Sequence, residues 1–269
     1  MSEPELRDPV AVRLPAPTVW LISAATTLGL LLLWAVVTHF GWVKPLLLPK
    51  PMRVLKTFVE LQTEGFADST LMQHTLASLA RVCIAFSAAI FLGVPTGILM
   101  GLYDPFRGVL DPIIEFYRPL PPLAYLPLII IWLGIGEVAK ITLIFLAVFA
   151  PICLSTRAGT LSVAREKILV AGTLGATRLQ IIRYIILPGA LPEILTGMRV
   201  GIGFGWTTLV AAEMVAATAG LGFMVLNAKD YLATDVMIVG ILVIGAIAYA
   251  FDLFMRLLER RLVPWKGKV

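Results

Sequence analysis

Charge is scarce in this chain. Only 14% of its 269 residues are charged, where a soluble domain carries roughly 25%. With 59% hydrophobic residues and a mean hydropathy of +0.91, that shortage excludes an ordinary water-soluble fold. Two cysteines, Cys83 and Cys153, lie in apolar segments. They are too few for the disulfide framework of a small secreted domain, and both read as small buried residues. The two histidines, His39 and His74, stand apart from each other and from paired carboxylates, so no metal site is expected. There is no H-E-x-x-H, no G-x-S-x-G and no Asp-rich pair, which leaves an intramembrane lipid-modifying enzyme without its chemistry. No G-x-x-x-x-G-K-[ST] loop is present, so the chain has nothing to cradle ATP phosphates and no cofactor is expected in it. The polar N-terminus lacks a charged start leading into a short apolar core, so no cleaved signal peptide is expected. The net charge of +5 is spread between apolar runs, with no basic face interleaved with aromatics, which argues against nucleic acid.

What is present is a set of long apolar runs. A helix crossing hydrocarbon needs about 20 apolar residues, and six segments qualify: 19–40, 81–101, 112–133, 138–156, 190–216 and 236–255. Lipid offers the backbone no hydrogen-bond partner, so these are helices and the fold is all-α and polytopic. The third segment carries Pro119, Pro121, Pro122 and Pro127, each removing a backbone donor. It is expected to be broken and to sit inside the bundle. Glu115 and Arg118 flank the break and read as glue between helices rather than as cargo contacts.

Lysine and arginine set orientation. With the N-terminus in the cytoplasm, inner segments hold 14 of these cations and outer segments hold 6. Both termini are therefore expected inside. The chain divides into a tail (1–18), a first span with an outer connector (19–78), a core (79–262) and a second tail (263–269). In the connector, Val54, Leu55, Phe58, Val59 and Leu61 alternate with Lys56 and Glu60 as in a short surface helix.

One basic stretch interrupts the core, 157–188, reading RAGTLSVAREKILVAGTLGATRLQIIRYIILP. Two helical turns are expected to meet at Gly175, where the chain can bend or another backbone approach. Pro188 is expected to end the second turn, and Pro192 fits the first turn of the next helix. Physically, such a segment is either a foot set in a partner's groove or a helix lying flat on lipid phosphates. Downstream, Arg199, Trp206 and Glu213 are spaced by seven and fall within about 40° of one another at 100° per residue. Gly197, Gly201 and Gly205 share another face, where small residues let helices pack closely. The first trio reads as stations along a translocation path, or as ion pairs inside the bundle.

The interruption resembles the coupling loop of permease subunits of ABC importers. That loop reads E-A-A, three residues, Gly, nine residues, Ile, any residue, Leu-Pro. Ala171, Gly175, Ile185, Leu187 and Pro188 match, with Gly172 and Ala176 inside the pattern, while Leu169 and Val170 replace the leading Glu and Ala. The runs LDPIIEFYRPLPPLAYLPL, WLGIGEVAKI, LPGALPEILTGMRVG, TLVAAEM and LATDV extend the resemblance to the nitrate, sulfonate and taurine group, most of all its taurine branch. The resemblance implies a type I, MetI-like permease fold in a bacterial inner membrane. It further implies a second copy of the chain, a pair of ABC ATPase subunits binding ATP and Mg, and a periplasmic binding protein delivering taurine. An alkanesulfonate, nitrate or another small anion is the alternative cargo. By the same resemblance, the tight turn at Gly220, Leu221 and Gly222 faces the binding protein.

Overall fold

The computed structural model describes residues 16–265, so most of both expected tails lies outside the described residues. The described chain is helical, with a single isolated bridge between Phe66 and Ser69 and no strand. It runs α1 (Ala16–His39), α2 (Pro51–Thr63), α3 (Leu71–Leu102), α4 (Asp104–Tyr117), α5 (Pro122–Leu133), α6 (Glu137–Ser162), α7 (Arg165–Thr173), α8 (Arg178–Ile181), a π-helical turn (Ile182–Ile186), α9 (Leu187–Ala216), α10 (Leu221–Asp230) and α11 (Thr234–Leu262). Five helices are long and apolar enough to cross a membrane, and α4 with α5 is a pair bent by 108°, a sixth crossing if the two form one broken span.

The centre of the bundle is α6, packed between α3 and α9. Small residues make this approach possible. A Cβ on Gly97 of α3 would lie 2.5 Å from the Cys153 carbonyl oxygen, and one on Gly101 would lie 2.6 Å from the Thr160 side chain. On the other side, Gly197 of α9 backs onto Ser155 and the Pro151 carbonyl, and Gly201 and Gly205 back onto Val148. In lipid no hydrophobic force drives helices together, so close van der Waals contact of this kind carries the association. Ala85, Phe86, Ile144, Ile152, Ile202 and Leu209 fill the layers between.

α3 begins ten residues before the apolar run suggests. Thr70 caps it, with Gln73 closing a reciprocal capping box, and its polar first turns turn inward, so hydropathy alone misses them. Cys153 is buried, but Cys83 is exposed on the outside of α3, where lipid accepts a thiol as readily as a core does. α2 lies along the start of α11. It buries Val54, Thr57 and Leu61 and is pinned by Arg53 and Thr57 to the Asp235 carboxylate, at 2.9 and 2.8 Å. Leu55, Phe58 and Val59 face outward. α1 is apolar on every side and only 6% of its central window is buried, so it belongs to the lipid or to a neighbouring chain.

Pro188 does not end a helix. The chain runs from Arg178 to Val215 as one helical rod. Proline at 188 cannot donate to the carbonyl four residues back. The widened π turn before it absorbs the defect, with the Leu187 amide donating to the Ile182 carbonyl. Pro192 likewise lies inside α9 rather than at its start.

Candidate functional site

Three polar features stand out in this apolar molecule. The first is an elbow at one end of the bundle. α7 stops at Gly175, which takes φ +80°. The Ala176 amide donates to the Ala171 carbonyl and the Gly175 amide to the Gly172 carbonyl, both at 3.0 Å. This is a Schellman stop, which favours glycine because a Cβ is unfavourable there. Thr177 then caps α8, with Gln180 reaching back to its amide. The chain reverses sharply, and the apolar side chains around the bend have nowhere to bury. Leu174 is 82% exposed and Leu179 73%. Ala176 and Ile185 line a shallow hollow in the angle. At the base, Ile186 is buried in the bundle and Leu187 and Pro188 begin α9, so the foot is tied rigidly to the central rod.

The second feature lies at the opposite end. Arg81 of α3 forks onto the Glu137 carboxylate at 2.6 and 2.8 Å and reaches Glu213 of α9 at 2.6 Å. Lys140 adds a 2.7 Å bond to Glu137. Two cations thus face two carboxylates, Glu213 buried and Glu137 exposed at the rim. Glu213 is fully buried, and it accepts from Ser78 and from the Gly222 amide. Gly220, at φ +141°, wraps against the same carboxylate and leaves no room for a side chain. His74 accepts the Gly220 amide at Nδ1 and meets the Phe66 carbonyl at Nε2, a pairing that fits the neutral ring protonated at Nε2. The 217–222 turn is therefore stapled to α3 and α9 together.

The third feature is a cavity of about 620 Å³ at the proline break. Glu115, Arg118 and Tyr125 border it from the bent helix pair, Ala147 and Pro151 from α6, and Val200 and Phe204 from α9. The expected gluing role of Glu115 and Arg118 is overturned. Among the described residues neither side chain has an ion-pair or hydrogen-bond partner, and α4 is tied to α6 through Asp111 and Arg157 instead.

The α9 trio is not brought to one open face. Arg199 bonds Asp252 of α11 at 2.7 Å, and Asp252 also holds Arg256. Trp206 is buried edge-on against Phe251, with its ring nitrogen unpartnered. Glu213 sits in the far-end network. None of the three borders the cavity. Sequence reasoning missed the Arg81 and Lys140 partnerships and counted Lys140 among water-facing cations, although it is buried. The Glu137–Lys140 spacing of one helical turn was the signal for that pair. The Gly93, Gly97 and Gly101 stripe on α3, spaced by four, was also legible and unread.

The all-helical bundle with its bent helix pair and exposed apolar elbow is that of a membrane transport subunit, as the family match shows. Residues 93–264 match the family described as binding-protein-dependent transport system inner membrane component, and the chain belongs to that family. It is similar to the taurine transport system permease protein TauC of Escherichia coli, 54% identical over 92% of this chain and 90% of the relative. The nitrate import permease protein NrtB of a Synechocystis species is 34% identical over 82% of each chain. Among solved structures, the inward-facing MetNI methionine ABC transporter shares the fold, with a TM-score of 0.61 at 21% identity, covering 71% of this chain and 95% of that one.

Proposed function

We propose that this chain is the permease of a taurine importer. Two copies would form the membrane part, with two ABC ATPase subunits gripping the feet and a periplasmic binding protein delivering cargo at the opposite end. The observation that carries the reading is the 54% identity to a taurine permease, sustained over nearly the whole chain. ATP and Mg would sit on the partner subunits, a reading that the lack of a phosphate-cradling loop in this sequence supports. The cation asymmetry supports a cytoplasmic elbow and cytoplasmic termini in a bacterial inner membrane. Removing buried Lys140 from the outer tally sharpens that asymmetry.

In this reading, ATP draws the two ATPases together. The paired feet follow, and because each foot continues into α9 without a hinge, the motion tilts the bundle between inward- and outward-open states. Cargo passes along the cavity side of α6 and α9, while Arg199, Trp206 and Glu213 brace the rods that form the route. A second cargo, nitrate, is favoured by one observation, the 34% identity to a nitrate permease. Alkanesulfonates are a further alternative.

The test is reconstitution of the chain with its ATPase and binding protein in proteoliposomes. ATP-dependent accumulation of taurine is expected. Accumulation of nitrate or ethanesulfonate without taurine, or taurine entry independent of ATP, would contradict the reading.

A further inference from the structure

We infer that the cavity at the proline break is a binding site for a short zwitterion, with Glu115 facing its ammonium and Arg118 facing its anionic group. This rests on the import reading above and gives the route a specific station.

Three observations converge. The cavity, at about 620 Å³, falls within the roughly 300–1,000 Å³ typical of small-molecule sites. Depth is the second. Ala147 and Pro151 border it near the middle of α6, which is long and apolar enough to cross a membrane. The third is charge. Arg81, Lys140, Arg157 and Arg199 each hold a carboxylate. The Glu115 and Arg118 side chains, exposed where they border the cavity, make no ion pair among the described residues. Ionisable side chains at this depth are costly and mark pathways unless they are neutralised.

The break adds an acceptor of its own. Pro119 has no amide hydrogen, so the carbonyl of Glu115, four residues before it in the last turn of α4, has no helical donor. In lipid such a carbonyl persists only beside protein donors, water or a polar ligand. A simple anion would satisfy Arg118 and be repelled by Glu115, and a simple cation would do the reverse. A molecule bearing both charges satisfies both residues. The Arg118 backbone keeps α-helical angles, so side chains at 115 and 118 start about 5–6 Å apart. That spacing fits two charged groups joined by a two- or three-carbon linker, as in an aminosulfonate.

The test uses the complete importer in proteoliposomes, with taurine uptake read alongside displacement of labelled taurine from the nanodisc-held permease–ATPase complex. Glu115→Gln and Arg118→Gln are each expected to lower both by about tenfold, with Glu115→Asp and Arg118→Lys recovering most of it. Ethanesulfonate and ethylammonium, each bearing one charge, should displace at least tenfold less well than taurine. Unchanged uptake and displacement in the Gln variants, with wild type importing taurine, overturns this site and leaves the import reading standing. Wild type importing no aminosulfonate overturns both. Dissociation of the paired copies in the Gln variants, with the Asp and Lys variants intact, makes the cavity an interface and also overturns the site.

Discussion

Arg81 reaches across three helices, and its surroundings show what a charge needs in order to persist in this bundle. Its guanidinium meets two carboxylates and the Ala219 carbonyl. Replacing a whole buried pair by apolar groups is often neutral, whereas removing one partner strands the other and costs about 3–5 kcal/mol. Arg81→Ala or Glu213→Ala should therefore lower the thermal midpoint of the purified complex sharply. The double change Arg81→Met with Glu213→Leu should lower it much less than the two single losses combined. Gly220→Ala tests the same corner. Its new Cβ would meet the Glu213 carboxylate, so the turn must shift, and uptake should fall while the amount of assembled complex changes little. None of this pairing was legible in the sequence. Periodicity assigns a residue to a helix face, but 132 positions separate Arg81 from Glu213 and no local pattern says which helices meet. The elbow residues were legible because their chemistry is local. Gly175 takes a conformation that other residues avoid, and its spacing to Leu187 and Pro188 is a motif in itself.

Helices carry the argument one level up. α6 touches both neighbours through glycines, so its position is set by how closely backbones approach rather than by side-chain shape. Gly97→Leu or Gly197→Leu should each cost about 1–3 kcal/mol by overpacking, read as a lower melting temperature of the complex. Gly203→Leu, on an open part of α9, should cost far less. The elbow predicts a different failure. Gly175→Val forces a branched residue into a left-handed conformation at roughly 1–2 kcal/mol, so the bend should loosen and uptake fall while the bundle still folds. Most spans were visible as apolar runs. Two features were not. The first turns of α3 are polar because they line the inside, and the proline at 188 reads as a stop unless a π turn is allowed for. In both cases tertiary surroundings, which hydropathy does not record, overrule the local signal.

At the scale of the molecule, the described residues leave two kinds of surface without an aqueous purpose. One is the apolar flank of α1 and α11, facing lipid or a second copy. The other is the foot, whose leucines project past the bundle on a basic segment. On the import reading, energy comes from a partner ATPase and the foot is where the chain receives it. The sidedness of Leu174 puts this to trial. With Cys83→Ser and Cys153→Ala removing the native thiols, Leu174→Cys is labelled with a membrane-impermeant maleimide in right-side-out and inside-out vesicles, with and without the ATPase subunits. Leu232→Cys, at the opposite end, serves as the marker for the other side. Labelling of position 174 only in inside-out vesicles, suppressed when the ATPase is bound, is the expected result. Labelling from the periplasmic face, or labelling indifferent to the ATPase, would contradict the account.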